Sequence, residues 1–150
     1  MAVPKTPLLS VDIIIELSDR EDHPIVLIAR KHDPYGWAIP GGFVDIGERV
    51  EAAACREALE ETGLVIQLSG LLGCYSDPRR DNRGHVVTLV YIAAASGQPQ
   101  AADDAADLRI CTPGEWARPL AFDHEDILTD YLHWRQNRDH EKPGMLLKIK

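Results

Sequence analysis

Apolar residues in this chain fall into short β-branched runs, separated by charged or Pro/Gly-rich stretches, with two segments of helical character. Residues 11–17 hold Ile13, Ile14 and Ile15 in succession. That density leaves little alternation and predicts a strand covered on both faces. The polar run 18–24 predicts a turn and 25–29 a second strand. Pro34, Gly36 and Pro40 keep a long helix out of 32–40, leaving Trp37-Ala38-Ile39 as a short extended piece. Gly41-Gly42 reads as glycine-rich loop rather than strand. Residues 49–62 are rich in alanine and long side chains and stop at Gly63, as a helix with glycine just past its end does. Strands are expected at 68–76, weakened by Gly70 and Gly73, at 86–95 and at 108–111. Between them lie a charged loop, 77–84, and a flexible connection, 96–104. Thr112-Pro113 suggests a brief helical turn, and a final helix is expected over 123–135. The tail, 136–150, begins polar and ends apolar, a pattern that fits packing or none. Several strands and two helices predict an α/β domain over 1–150, with a mixed sheet covered on both faces.

Composition narrows the partners. Sixteen Lys+Arg against 24 Asp+Glu give a net charge of −8, a surface that repels nucleic-acid backbones and anionic membranes. Nothing reads as a signal peptide or membrane span, so a cytoplasmic location is expected. Cys55, Cys74 and Cys111 are isolated and lack metal or redox spacing, so they read as reduced, buried or half-buried thiols. An acidic domain with an apolar C-terminal end is compatible with a homodimer.

The central helix carries the chemistry. Helical spacing puts Glu57 and Glu61 on one face, one turn apart, with Glu60 beside them and Cys55, Ala58 and Leu59 elsewhere. Like charges at this spacing cost an isolated helix about 0.2–0.5 kcal/mol, which a divalent cation would reverse. Oxygen donors without histidine or cysteine suit Mg2+ or Mn2+. A solvated acidic face laced to Arg49 and Arg56 is the plainer alternative. The preceding Gly41-Gly42 lets backbone approach a ligand and leaves a carbonyl to coordinate, and Glu48 stands just before the helix. Such a cup of oxygen ligands suits a diphosphate.

Gly42, Glu48, Arg56-Glu57-Ala58, Glu60-Glu61 and Gly63-Leu64 stand at the fixed spacings of the Nudix hydrolase signature, in the stretch GFVDIGERVEAAACREALEETGL. The chain therefore resembles that family. The resemblance implies a Nudix-type α/β/α sandwich with a mixed β-sheet and a loop-helix-loop catalytic motif. It also implies Mg2+- or Mn2+-dependent hydrolysis of a nucleoside diphosphate derivative. By position, Glu57 and Glu61 would be the principal metal ligands, Glu60 a third and the Gly41 carbonyl a fourth. Arg56 would hold the carboxylates together, and Glu48 would be a metal-linked or supporting acid. Many members take a further Glu from a loop outside the motif. Here that connection offers Asp103 and Asp104 instead, so either an aspartate substitutes or the base comes from the motif.

The loop SDPRRDNRGH (76–85) and Leu120-Ala121-Phe122-Asp123-His124 resemble the ADP-ribose pyrophosphatase branch of the family. Arginine forks match phosphate oxygens. Arg30, Arg79, Arg80 and Arg83 are therefore candidate phosphate or ribose contacts, Trp37, Phe43 and Phe122 candidate aromatic contacts, and His85 a further substrate contact. The expected activity is cleavage of ADP-ribose or a relative to AMP and ribose 5-phosphate. The alternatives are a nucleoside triphosphate pyrophosphohydrolase and a non-catalytic nucleotide-sensing module.

Overall fold

In the computed structural model the described residues are 1–138 and the backbone of 148–149. The elements run β1 (Leu8–Leu17), β2 (Ile25–Arg30), β3 (Trp37–Ala38), β4 (Gly41–Phe43), α1 (Val50–Thr62), β5 (Gln67–Tyr75), β6 (Val86–Ala95), β7 (Ala105–Cys111), α2 (His124–Asn137) and β8 (Lys148–Ile149). They form a mixed sheet ordered β3-β2-β1-β6-β5-β8, with β4 added to β1 and β7 to β2.

The centre is β1, paired in parallel with β6 from Leu8↔Val86 to Leu17↔Ala95. Its isoleucines divide between two cores because successive strand side chains point to opposite faces. Ile13 and Ile15 pack with Val11, Ala53, Ala54 and Ala58 on the α1 side, while Ile14 packs with Val90, Ile127, Leu128 and Tyr131 on the α2 side. Both faces of the strand are thus covered, the α/β/α sandwich that the isoleucine run and the signature together predict. The three alanines bring α1 close to the sheet.

Several local expectations are corrected. Gly41-Gly42 lies in β4, antiparallel to β1 through Val11↔Gly42 and Asp12↔Gly41. The Thr112-Pro113 segment is not helical: the Glu115 N–H donates to the Thr112 carbonyl at 2.9 Å, and Gly114 has φ +90°. Proline then glycine with positive φ at the centre is the chemistry of a type II turn. On α1, Cys55 and Leu59 are exposed, and burial follows Ala54, Ala58, Glu61 and Thr62 instead. The glycines of β5 coincide with register shifts against β6, so they mark bulges rather than ending the strand. The connection 96–104 is anchored, since Gln100 and Ala102 N–H groups donate to the Thr62 and Glu61 carbonyls at 2.9 and 3.2 Å. The apolar run expected at 145–147 lies outside the described residues.

Strand β1 pairs with β2 only at Glu16↔Ile25 and gives its earlier residues to β4. The site lies at this fork.

Candidate active site

A cleft of about 350 Å³ opens where β1, β2 and β4 meet α1 and the start of α2. Its floor includes Glu57 and Glu61, one helical turn apart. The Glu61 carboxylate is buried and accepts the Gly41 N–H at 2.9 Å. A Cβ at Gly41 would stand 2.2 Å from the Val11 carbonyl oxygen, and one at Gly42 would stand 2.3 Å from Glu57 Oε1. Close approach between strand and helix therefore requires these glycines. Burial pushes the Glu61 carboxyl up to about 8, and the charges of Glu57, Asp12 and Asp104 push the same way. Burial also raises the Glu57 carboxyl, against the opposing pull of Arg56.

Arg56 organises this wall. Its Nε and Nη2 donate to the two oxygens of Glu48 at 2.8 and 2.9 Å, its Nη1 to Glu57 at 2.7 Å and Glu60 at 3.2 Å, and its Nη2 to the Phe43 carbonyl at 3.0 Å. The fork from Arg56 and the Asp45 N–H hold the Glu48 carboxyl down at about 2. One guanidinium thereby ties β4, the loop before α1 and about one turn of α1 into a fixed frame.

The facing wall is cationic and aromatic. The Phe122 ring has the Arg30 guanidinium 4.7 Å and the Arg83 guanidinium 5.1 Å from its centroid, and Arg83 also lies 5.4 Å from the Phe43 ring. Behind them Arg80, with a side chain only 4% exposed, grips Asp123 through two bonds of 2.9 and 2.7 Å and reaches Thr88 at 2.6 Å. His124 is buried, and its Nδ1 accepts the Ile39 N–H at 3.0 Å, so the proton sits on Nε2, 3.4 Å from Asp12 Oδ2.

A family model described as NUDIX domain matches residues 6–131. The chain belongs to the Nudix family. It is 46% identical over 132 residues to a Methanocaldococcus jannaschii protein named ADP-ribose pyrophosphatase, covering 86% of this chain and 75% of that one. It is 40% identical over 118 residues to a Bacillus subtilis putative 8-oxo-dGTP diphosphatase, covering 78% of this chain and 76% of that protein. Among solved structures, the NUDIX domain of Shewanella oneidensis NrtR complexed with ADP ribose superposes with TM-score 0.71 at 28% identity, covering 86% of this chain and 88% of that one. The protein is a Nudix hydrolase.

Nudix hydrolases generally use divalent metal ions, and the donor set on α1 fits a hard cation. Two carboxylates with raised pKa and mutual repulsion stand beside a strand brought close by glycine, and His124 is committed elsewhere. Among the described residues no three His, Cys, Asp or Glu side chains already converge on one point. Backbone oxygen, water or substrate would complete the shell.

The cleft brings together Arg30, Gly41, Phe43, Arg56, Glu57 and Glu61 with Arg80, Arg83, Asp104 and Phe122. The other candidates lie outside its lining. Glu48 and Glu60 face Arg56. Asp103 presents its carbonyl to Lys31 Nζ. Arg79 is exposed and pairs with Asp77 at 2.8 Å, His85 Nε2 bonds the Ser76 carbonyl at 3.0 Å, and Trp37 stacks with Arg109 at 4.7 Å against the α2-side core. Sequence reasoning missed Asp12, a buried acid beside the isoleucines of β1, and the His124 that meets it. A carboxylate inside a β-branched run was the available signal. No described helix is long and apolar enough to cross a membrane.

Proposed function

We propose that this Nudix hydrolase cleaves the diphosphate linkage of ADP-ribose or a close relative, giving AMP and ribose 5-phosphate. The observation that carries the reading is the division of one cleft into a carboxylate floor and an arginine–aromatic wall. The relative named ADP-ribose pyrophosphatase and the NrtR domain complexed with ADP ribose support it. Glu57, Glu61, Glu60 and the Gly41 carbonyl would hold Mg2+ or Mn2+. Bound there, such an ion supplies positive charge against the diphosphate oxygens and the attacking water.

The chain's own residues do the rest. Arg56 keeps Glu57 and Glu60 in register, and either can take the proton released as water adds to phosphorus. One P–O bond forms and the bridging P–O bond breaks, leaving a phosphate on each product. Arg30 and Arg83 bind phosphate oxygens, and Phe43 offers apolar surface to the nucleoside or ribose. Asp104 lines the same cleft and is a second candidate for the base. The protein works on small nucleotides rather than nucleic acid, in the cytoplasm, as a monomer or homodimer.

The test is a substrate panel with Mg2+ or Mn2+, resolving AMP from inorganic pyrophosphate. ADP-ribose should give AMP and ribose 5-phosphate as the preferred reaction. The Bacillus subtilis relative motivates including oxidised and canonical nucleoside triphosphates. A tenfold preference for those, with pyrophosphate released, would overturn the substrate though not the family.

A further inference from the structure

We propose that Phe122 is a positioning residue that holds the Arg30 and Arg83 guanidiniums as a two-pronged clamp for a phosphate group of the substrate. Phe122 adopts φ +53°, a left-handed conformation costly for a bulky residue. Its neighbours hold it there: Asp123 is gripped by Arg80, and His124 accepts the Ile39 N–H and stands 3.4 Å from Asp12. The strained residue projects the ring that Arg30 and Arg83 share.

The hydrogen bonding of the two arginines is incomplete. Arg83 spends Nε and Nη2 on Asp81 at 3.0 and 2.8 Å, and Arg30 spends Nε on the Pro34 carbonyl at 2.7 Å. Among the described residues neither Nη of Arg30 nor Nη1 of Arg83 has a hydrogen-bond partner, while both side chains line the cleft. Among the described residues Asp81 is the one carboxylate hydrogen-bonded to either guanidinium, and Glu61 and Asp12 act on them only through longer-range charge. Burial first, and then the charge of Arg83, lower the Arg30 pKa against the opposing charges of Glu61, Asp81 and Asp12. An aromatic face offsets that repulsion by cation–π attraction and fixes the planes of both forks. A phosphate group supplies the missing charge and acceptors for the remaining N–H donors.

The inference rests on reading the cleft as the substrate site, and the experiment separates the two. Full-length wild type, Phe122→Leu and Phe122→Tyr are titrated with inorganic pyrophosphate by calorimetry in chelator, without metal. Leucine keeps apolar bulk and removes the ring quadrupole, whereas tyrosine restores it. Phe122→Leu should weaken binding about tenfold, and Phe122→Tyr should recover most of the loss. In steady-state kinetics with ADP-ribose the leucine loss should fall on KM rather than kcat. Equal affinities in all three proteins, equal losses in both variants, or no metal-free binding by wild type would overturn the clamp. If Phe122→Leu does not fold, Arg30→Gln decides: a loss near tenfold supports the clamp, and unchanged affinity overturns it. A wild type that leaves ADP-ribose intact while the pyrophosphate ranking holds would overturn the substrate reading alone.

Discussion

The two walls of the cleft are built in opposite ways. The carboxylate wall comes from one contiguous stretch, in which Arg56 reaches Glu48, Glu57, Glu60 and the Phe43 carbonyl from a single guanidinium. The arginine wall is assembled from β2, β4, the 76–85 loop and the turn before α2: Arg30, Arg80 and Arg83 hydrogen-bond to different residues, and Arg30 and Arg83 share the Phe122 ring. A contiguous frame preserves one arrangement of acids. An assembled wall can vary residue by residue, so selectivity resides there.

The largest expected effect breaks the carboxylate wall: Glu61→Gln should lower kcat by at least about 100-fold with the fold retained. An amide has the shape but not the charge to hold a cation. Circular dichroism together with turnover checks both halves of this expectation.

Next comes a contrast inside the arginine loop. Arg83→Ala should cut kcat/KM for ADP-ribose about 10- to 100-fold, the scale of one or two charge-assisted contacts. Arg79→Ala should change it less than about threefold, because Arg79 is exposed and outside the cleft. Arg80 separates binding from scaffolding. Removing its partner in Asp123→Asn leaves a nearly buried guanidinium under-compensated and should cost about 3 kcal/mol, read as a shift in the urea midpoint.

A smaller effect is pH dependence in chelator. The Glu61 carboxyl lies at about 8 in the fold against an ordinary 4.5, so the folded state holds its proton more tightly than the unfolded chain does. Its contribution to stability is fully present below about 4.5 and is lost as pH rises towards about 8. Wild type should therefore lose Tm relative to Glu61→Gln across that window, and added Mg2+ should restore most at the alkaline end. A difference between the two proteins that stays constant with pH would contradict the burial argument. Smallest of all, Glu51→Gln should alter kcat less than about threefold, since Glu51 is exposed and outside the cleft.

The same contrast explains what was legible in the sequence. Helical spacing alone paired Glu57 with Glu61, and dense β-branching alone marked β1 as covered on both faces. Local patterns failed where a distant contact decided the outcome. Gly41 and Gly42 look like loop residues, yet they are required by the approach of β1 and Glu57. Arg80 looks like Arg79 and Arg83 in a charged loop, and only its tertiary pairing with Asp123 distinguishes it. Leu59 falls with Ala58 away from the glutamates, yet α1 meets the sheet through its alanines and leaves Leu59 exposed. Asp12 and His124 stand far apart in sequence and meet only because α2 begins beside β1.

The central claim is that the two walls do separable work, and a double-mutant cycle tests it most directly. Values of kcat/KM for ADP-ribose are measured in wild type, Glu61→Gln, Arg83→Ala and the double variant at one free Mg2+ concentration. Separable walls predict that the double loss equals the product of the single losses within about threefold. A double variant no worse than Glu61→Gln alone would contradict the claim and make the cleft a single coupled unit.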